Sequence, residues 1–198
     1  VDTEKMLGIL VQRGFSITDD EQEADAVVVN TCCFINDAKQ ESINTLLEMA
    51  QLRENGSIKA LIAAGCLAQR YQEEIQREIP EVDAILGTTA IDVIADTLDE
   101  VFCGKGQNHL EDINRSLTNA DFSSKRIVTT GGHYAYLKIA EGCDKHCTYC
   151  VIPKLRGRYR SIPMERLLAQ ARELAEEGVR ELILVAQETT MYGTDLYG

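Results

Sequence analysis

The sequence predicts an α/β protein: an open, doubly wound parallel sheet, followed by the start of a second, barrel-forming α/β unit. Three observations carry this. AVVV at 26–29 is a short continuous apolar run typical of a strand buried on both faces, and IKALIAA at 58–64 and VDAIL at 82–86, each with one charged residue, read as a second buried strand and a third strand. Each is followed by a longer segment with helical apolar spacing, so strand and helix alternate. Beyond a glycine-containing stretch, YAYLKIA at 134–140, a helical pattern and VRELILVA at 179–186 repeat the order strand, helix, strand.

Taken in order, Asp2 to Arg13 reads as an amphipathic helix with Met6, Leu7, Leu10 and Val11 inward and Gly14 as its stop. Ala24 to Asn30 is a strand. Phe34 to Arg53 is a long helix with Ile43, Leu46, Leu47 and Ala50 as its core stripe, ended by Asn55-Gly56. Ile58 to Ala64 is the second strand, closed by Gly65-Cys66. Leu67 to Glu78 reads as one charged helix stopped near Pro80, and Val82 to Leu86 as a third strand. Thr89 to Phe102 is a helix with Ile91, Ile94, Ala95, Leu98 and Val101 inward.

Cys103 to His133 shows no clear period and holds several glycines, which suggests a linker with one short strand at Arg126 to Thr130. A strand from Tyr134 opens the second unit. Pro163 stands near the first turn of a helix that runs to Glu177, with Leu167, Leu168, Ala171, Leu174 and Ala175 inward and Gly178 as its stop. Val179 to Ala186 closes one βαβ unit. The expected organisation is therefore a domain at 1–103, a linker at 104–133 and the beginning of a second domain at 134–198.

With 198 residues and 44% hydrophobic content, the chain can bury a sizeable core. No apolar run approaches a membrane span and no signal peptide is visible, so no membrane role is expected. Seven cysteines, an odd number, fit metal ligation in a reducing cytoplasm better than a disulfide framework. Residues 1–102 carry 20 Asp and Glu against 7 Lys and Arg, whereas 103–198 are nearly balanced. An acidic surface repels phosphates, so nucleic acid is not expected on this portion, and it suits a basic protein partner. The chain lacks an initial Met and stops soon after a strand, and is read as a fragment of a longer protein.

The stretch EGCDKHCTYCVIPKLRGRYR, 141–160, holds the densest chemistry. Cys143, Cys147 and Cys150 lie within eight residues of one another after a strand, so three thiolates can converge on one soft metal centre. A structural zinc site wants four protein ligands, for which His146 is the neighbouring candidate. A four-iron cluster on three thiolates leaves one iron open to chemistry. Cys32 and Cys66 each lie just past the carboxyl end of an expected parallel strand, the edge where doubly wound sheets bind their ligands. Buried cysteines are also common as small apolar fillers, the reading given to Cys33 and Cys103.

The Cys143-x3-Cys147-x2-Cys150 spacing resembles the signature of the radical S-adenosylmethionine (SAM) enzymes. NTCCFINDAKQES, AAGCLAQRY and YLKIAEGCDKHCTYCVIPKLRGRYRS together, in this order, resemble the methylthiotransferase family of that superfamily across nearly the whole chain. The resemblance implies a flavodoxin-like sheet followed by the start of a radical SAM (β/α) barrel. It implies two [4Fe-4S] clusters, one binding SAM through Cys143, Cys147 and Cys150, and an auxiliary one to which Cys32 and Cys66 contribute. The family's remaining amino-terminal cysteine belongs to a segment before VDTEKMLGIL and has no counterpart here. Family members use one SAM as methyl donor to sulfur and a second as the source of a 5′-deoxyadenosyl radical.

CCFINDAKQES and LVAQETTMYGTDLYG resemble the branch that modifies an aspartate of ribosomal protein S-twelve, which makes that protein, or the small ribosomal subunit, the expected partner. An electron donor such as flavodoxin is implied too. The alternative branch methylthiolates isopentenylated adenosine in tRNA. Readings from other classes are a non-catalytic iron–sulfur electron carrier and a zinc-stapled interaction module. By resemblance, Tyr149 lies where an aromatic packs near the SAM adenine, and Gln187 and Glu188, at the end of the second barrel strand, where the superfamily holds the SAM amino group. Lys154, Arg156, Arg158 and Arg160 form a basic run able to meet a carboxylate, or else to be simply solvated. His109, His133 and His146 are dispersed, and no catalytic residue is expected beyond the cluster ligands.

Overall fold

The computed structural model describes residues 1–115 and 125–198. It divides into two compact units, one of residues 9–112 and one of residues 113–198 together with Val1–Gly8. The division falls inside the first helix, α1 (Asp2–Gln12).

In the 9–112 unit three strands form a parallel sheet in the order β1 (Ala26–Thr31), β2 (Ala60–Gly65), β3 (Ala84–Leu86). The register runs from Ala26 opposite Ala60 to Thr31 opposite Gly65, and from Ile62 opposite Ala84. The middle strand is buried along its whole length, which is why it is written in Ala, Leu, Ile and Gly with no polar alternation. The helices are α2 (Asn36–Glu54), α3 (Cys66–Arg70), α4 (Gln72–Glu78) and, after a 3-10 turn at Ile91–Val93, α5 (Ile94–Phe102). Leu46, Ile58, Leu61, Ile62, Leu67, Ile85, Leu86 and Ile94 are fully buried. Each such side chain contributes roughly 1.5–3 kcal/mol of transfer free energy.

The expected single helix at 67–78 is two. Tyr71 leaves helical geometry at φ −123°, ψ 35°, and the axis breaks there. Two stripes are narrower than their spacing suggests: Val11 and Leu47 are exposed, while Ser42 and Met49 take buried places on α2. The connecting stretch expected at 104–133 is structured in part. His109 forms a parallel bridge with Leu86, its N–H donating to Ile85 O at 2.8 Å, which prolongs the sheet past β3. Residues 116–124 of that stretch lie outside the described residues.

The 113–198 unit holds the βαβ motif: β4 (Tyr134–Lys138), α7 (Met164–Glu176) and β7 (Glu181–Val185). β4 and β7 pair in parallel, Tyr134 opposite Glu181 and Lys138 opposite Val185. Leu137, Ile139, Ile162 and Leu167 form one core, and Ala135, Leu174 and Val179 another. Leu168 and Ala175, expected inward on α7, are exposed. Between β4 and α7 the chain makes β5 (Ala140–Glu141), a short helix α6 (Ile152–Arg156) and β6 (Arg160–Ser161). β5 and β6 are antiparallel. The strand expected at 126–130 is absent. Its backbone bonds to Glu4 instead, Ile127 N–H to Glu4 O at 3.1 Å and Thr129 N–H to Glu4 Oε1 at 2.9 Å. No helix among the described residues is long and apolar enough to cross a membrane.

Candidate iron–sulfur sites

Cys32 and Cys66 continue the register of β1 and β2 by one residue, because Thr31 stands opposite Gly65. Three polar contacts fix them. Thr31 Oγ1 donates to Ala64 O at 2.6 Å and accepts from Ala68 N–H at 3.2 Å, which ties the end of β1 to the turn carrying Cys66. Ser42 Oγ accepts from Cys32 N–H at 2.9 Å. Gly65 has φ +94°, and a Cβ there would lie 2.6 Å from Thr31 O, so only glycine allows the close turn into Cys66. Cys32 and Cys66 are half-buried.

Cys33 is buried as a filler would be, yet it belongs to the same neighbourhood. Burial pushes its thiol pKa up, the Cys66 and Cys32 sulfurs beside it add to the rise, and Arg70 opposes. Cys103, expected as a filler, is exposed instead, because the helix ends at Phe102.

The second site is one loop. β5 delivers the chain to Gly142 at φ +79°, where a Cβ would stand 2.1 Å from Arg158 O. Cys143 is buried, Cys150 half-buried and Cys147 exposed, and none is in a disulfide. Lys145 N–H donates to Cys143 Sγ at 3.4 Å, which orients the sulfur within the loop. Cys150 N–H donates to Cys147 O at 3.0 Å and closes the turn. The donor set therefore fits an iron–sulfur cluster in kind: three free soft ligands on one turn, one already amide-bonded. The side chains are not gathered, for among the described residues no three Cys, His, Asp or Glu stand in metal-ligating geometry. His146 is exposed.

Gln187 and Glu188 follow β7 directly. Gln187 Oε1 accepts from Gly142 N–H at 3.0 Å, and Glu188 pairs with Lys145 inside the cysteine loop. The hydrogen bond from Lys145, with those from Thr190, holds the Glu188 carboxyl down at about 2. Tyr149 is 89% exposed, so it fills no core gap. The basic run divides. Arg156 and Arg160 turn inward, Arg160 donating to Ile113 O at 2.6 Å, while Lys154 and Arg158 face solvent.

At the base of the loop lie four charges, of which the sequence reading singled out only Arg156. Lys138 Nζ contacts the Asp2 carboxylate and Glu141 Oε2, the latter at 2.8 Å. Arg156 Nη1 lies 3.0 Å from Asp2 and 3.2 Å from Glu141. Burial alone would raise both carboxyls, but Lys138 and Arg156 together outweigh it and hold Asp2 and Glu141 below their usual range. The signal available in the sequence was Lys138 and Glu141 themselves, charged residues in a strand pattern whose neighbours are core.

Residues 1–87 match the uncharacterized protein family UPF0004, and residues 137–197 match the Radical SAM superfamily. The chain carries these two segments in that order. Over its full length it is 60% identical to the ribosomal protein uS12 methylthiotransferase RimO of Lachnoclostridium phytofermentans. It is 50% identical to the proteins of that name from Thermoanaerobacter sp. and Clostridioides difficile. The methylthiotransferase resemblance is thereby borne out. The chain spans 44% of the length of each of these relatives.

Proposed function

We propose that the complete protein is a radical SAM methylthiotransferase that adds a methylthio group to the β-carbon of an aspartate of ribosomal protein uS12. The observation that carries this is the loop of three free cysteines at the carboxyl end of the β4–β5 segment, in a chain half or more identical to proteins so named. When bound, the cluster and SAM supply one-electron reductive cleavage and hence a hydrogen-abstracting radical. Cys143, Cys147 and Cys150 would hold that cluster. Cys32 and Cys66 would contribute to the auxiliary one.

The remaining residues bind and orient. Gln187 braces the turn into Cys143 through Gly142. Glu188 would take the SAM ammonium in exchange for the exposed Lys145. Tyr149, solvent-facing, is available to the adenine, and Lys154 and Arg158 to carboxylates. No acid–base dyad is required. In this reading residues 1–103 form the auxiliary-cluster domain, 104–133 connect, and 134–198 begin the barrel. The protein works in the cytoplasm with an electron donor such as flavodoxin. An acidic 1–102 portion favours a basic protein over RNA at long range, an attraction that salt screens.

Mass spectrometry of uS12 and of bulk tRNA, from cells with and without the gene, tests this. Loss of the methylthio mark from uS12 is expected. Its loss from tRNA, with uS12 unchanged, would assign the protein to tRNA instead.

A further inference from the structure

The four charges at the base of the cysteine loop, Glu141 buried and Asp2, Lys138 and Arg156 half-buried, form a closed ring. Each cation meets both anions: Lys138 touches Asp2 and Glu141, and Arg156 touches the same two carboxylates. All four side chains are between 12% and 18% exposed. Two positive and two negative charges balance. Such a ring is a poor choice for stability alone, because desolvating four charges costs about as much as their attraction returns. What it supplies is fixed geometry.

The ring's placement is specific. Glu141 stands two residues before Cys143 and Arg156 six residues after Cys150, so one ion pair spans both ends of the loop. The backbones close beside it: Cys143 N–H donates to Gly157 O at 3.2 Å, and Glu141 pairs with Arg160 across β5 and β6. Lys138, at the end of β4, roots the ring in the sheet, and Asp2 caps it from the first turn of α1.

We propose that Asp2, Lys138, Glu141 and Arg156 act as positioning residues, a clasp that sets the separation of the two ends of the cysteine loop so that its three thiols close on one centre. This rests on the function proposed above, but the clasp has readouts that do not depend on it.

The test uses the complete protein carrying Glu141→Gln, Arg156→Met or Arg156→Lys. In the cluster-free state, hydrogen exchange is followed across residues 142–158 and across β4 and β7. After reconstitution, iron content, the electron paramagnetic resonance signal with and without SAM, and KM and kcat for SAM cleavage are measured. Glu141→Gln should speed exchange in the loop about tenfold or more and leave the strands unchanged. It should broaden the signal seen with SAM and raise KM about tenfold with a smaller change in kcat. Arg156→Lys should recover part of this, since it keeps the charge and one terminal nitrogen, as Nη1 alone meets both carboxylates, but loses the planar guanidinium that fixes that nitrogen's direction.

Loop exchange and spectrum equal to the parent's in folded Glu141→Gln would overturn the clasp. So would faster exchange spread evenly over the whole unit, which marks loss of stability only. If Glu141→Gln does not fold, the charge-balanced pair Lys138→Met with Glu141→Leu decides by the same readouts, and parent-like loop exchange there overturns the proposal. A protein that cleaves no SAM at all would sink the proposed function while the exchange result still judges the clasp.

Discussion

Cys32 and Cys66 owe their placement to strand register, whereas Cys143, Cys147 and Cys150 owe theirs to a single loop. The first pair is 34 residues apart in sequence and is brought together by parallel pairing of β1 with β2. Its backbone is bonded in place by Thr31 and Ser42 before any ligand arrives. The second set is compact in sequence and graded from buried Cys143 to exposed Cys147. A site made by register inherits the rigidity of the sheet. A loop site inherits only what grips its ends, here Gln187, the β5–β6 pairing with Cys143 N–H on Gly157 O, and the ring of charges. The difference suits the proposed tasks: the loop must admit SAM at an open iron.

The largest test of this contrast removes the loop thiols. In the complete protein, replacing Cys143, Cys147 and Cys150 together by Ala should abolish 5′-deoxyadenosine formation, measured by chromatography. The melting temperature of the cluster-free protein should fall only by what truncating the buried Cys143 costs, since Cys147 is exposed and Cys150 half-buried. Retained SAM cleavage in that variant would remove the loop from the chemistry.

Cys66→Ala should act on the other side. It should lower auxiliary iron and stop methylthio product while leaving SAM cleavage in place, because Cys66 lies in the 9–112 unit and the loop in the 113–198 unit. Full iron content and normal product would make Cys66 a packed core thiol and nothing more.

The two sites share one device, a left-handed glycine immediately before a cysteine. Gly65→Ala and Gly142→Ala each force an L residue to positive φ, which costs about 1–3 kcal/mol. Each also drives a Cβ against a carbonyl, Thr31 O in one case and Arg158 O in the other. Their consequences should differ. Gly65→Ala should lower the urea midpoint and the exchange protection of β1 and β2. Gly142→Ala should act chiefly on loop exchange and SAM affinity. Equal loss of strand protection in both would erase the distinction between register and loop.

The alternation of strand and helix was readable because buried parallel strands write apolar-rich runs; β3 falls inside the segment expected for it, and β1 and β2 overrun theirs by one residue, Thr31 and Gly65. The cysteine loop was readable from spacing alone, being local. What was not legible depends on contacts between distant residues. Nothing in Asp2 announces Lys138, 136 positions away. Nothing in Thr31 shows that its hydroxyl will join two strand ends and a helix start. Residues 126–130 carry a strand-like pattern, but Glu4 supplies their partners, so no strand forms. Tyr71 broke a helix that charge and spacing left continuous, since no Gly or Pro marks the place.

The smallest expected effect concerns the outer half of the loop, where Lys145 pairs with Glu188 at the surface. Exposed pairs add little to stability, so Lys145→Met should leave the melting temperature unchanged within error. Its effect should appear in titration instead. Glu188 is depressed to about 2, first by its hydrogen bond from Lys145 and then by those from Thr190. A depressed carboxyl favours the folded state above its unfolded pKa of about 4.3, and that contribution fades as pH falls toward the folded value. Removing Lys145 takes away the largest cause, so carbon-13 titration of Glu188 should move upward in Lys145→Met while Thr190 keeps it below the ordinary value. If Glu188 is the ligand for the SAM ammonium, the same variant should bind SAM more tightly, because the ammonium no longer competes with a lysine for the carboxylate. Weaker SAM binding would instead mean that the pair acts together as a brace for the loop, bringing this half of the site closer to the preformed character of the sheet edge.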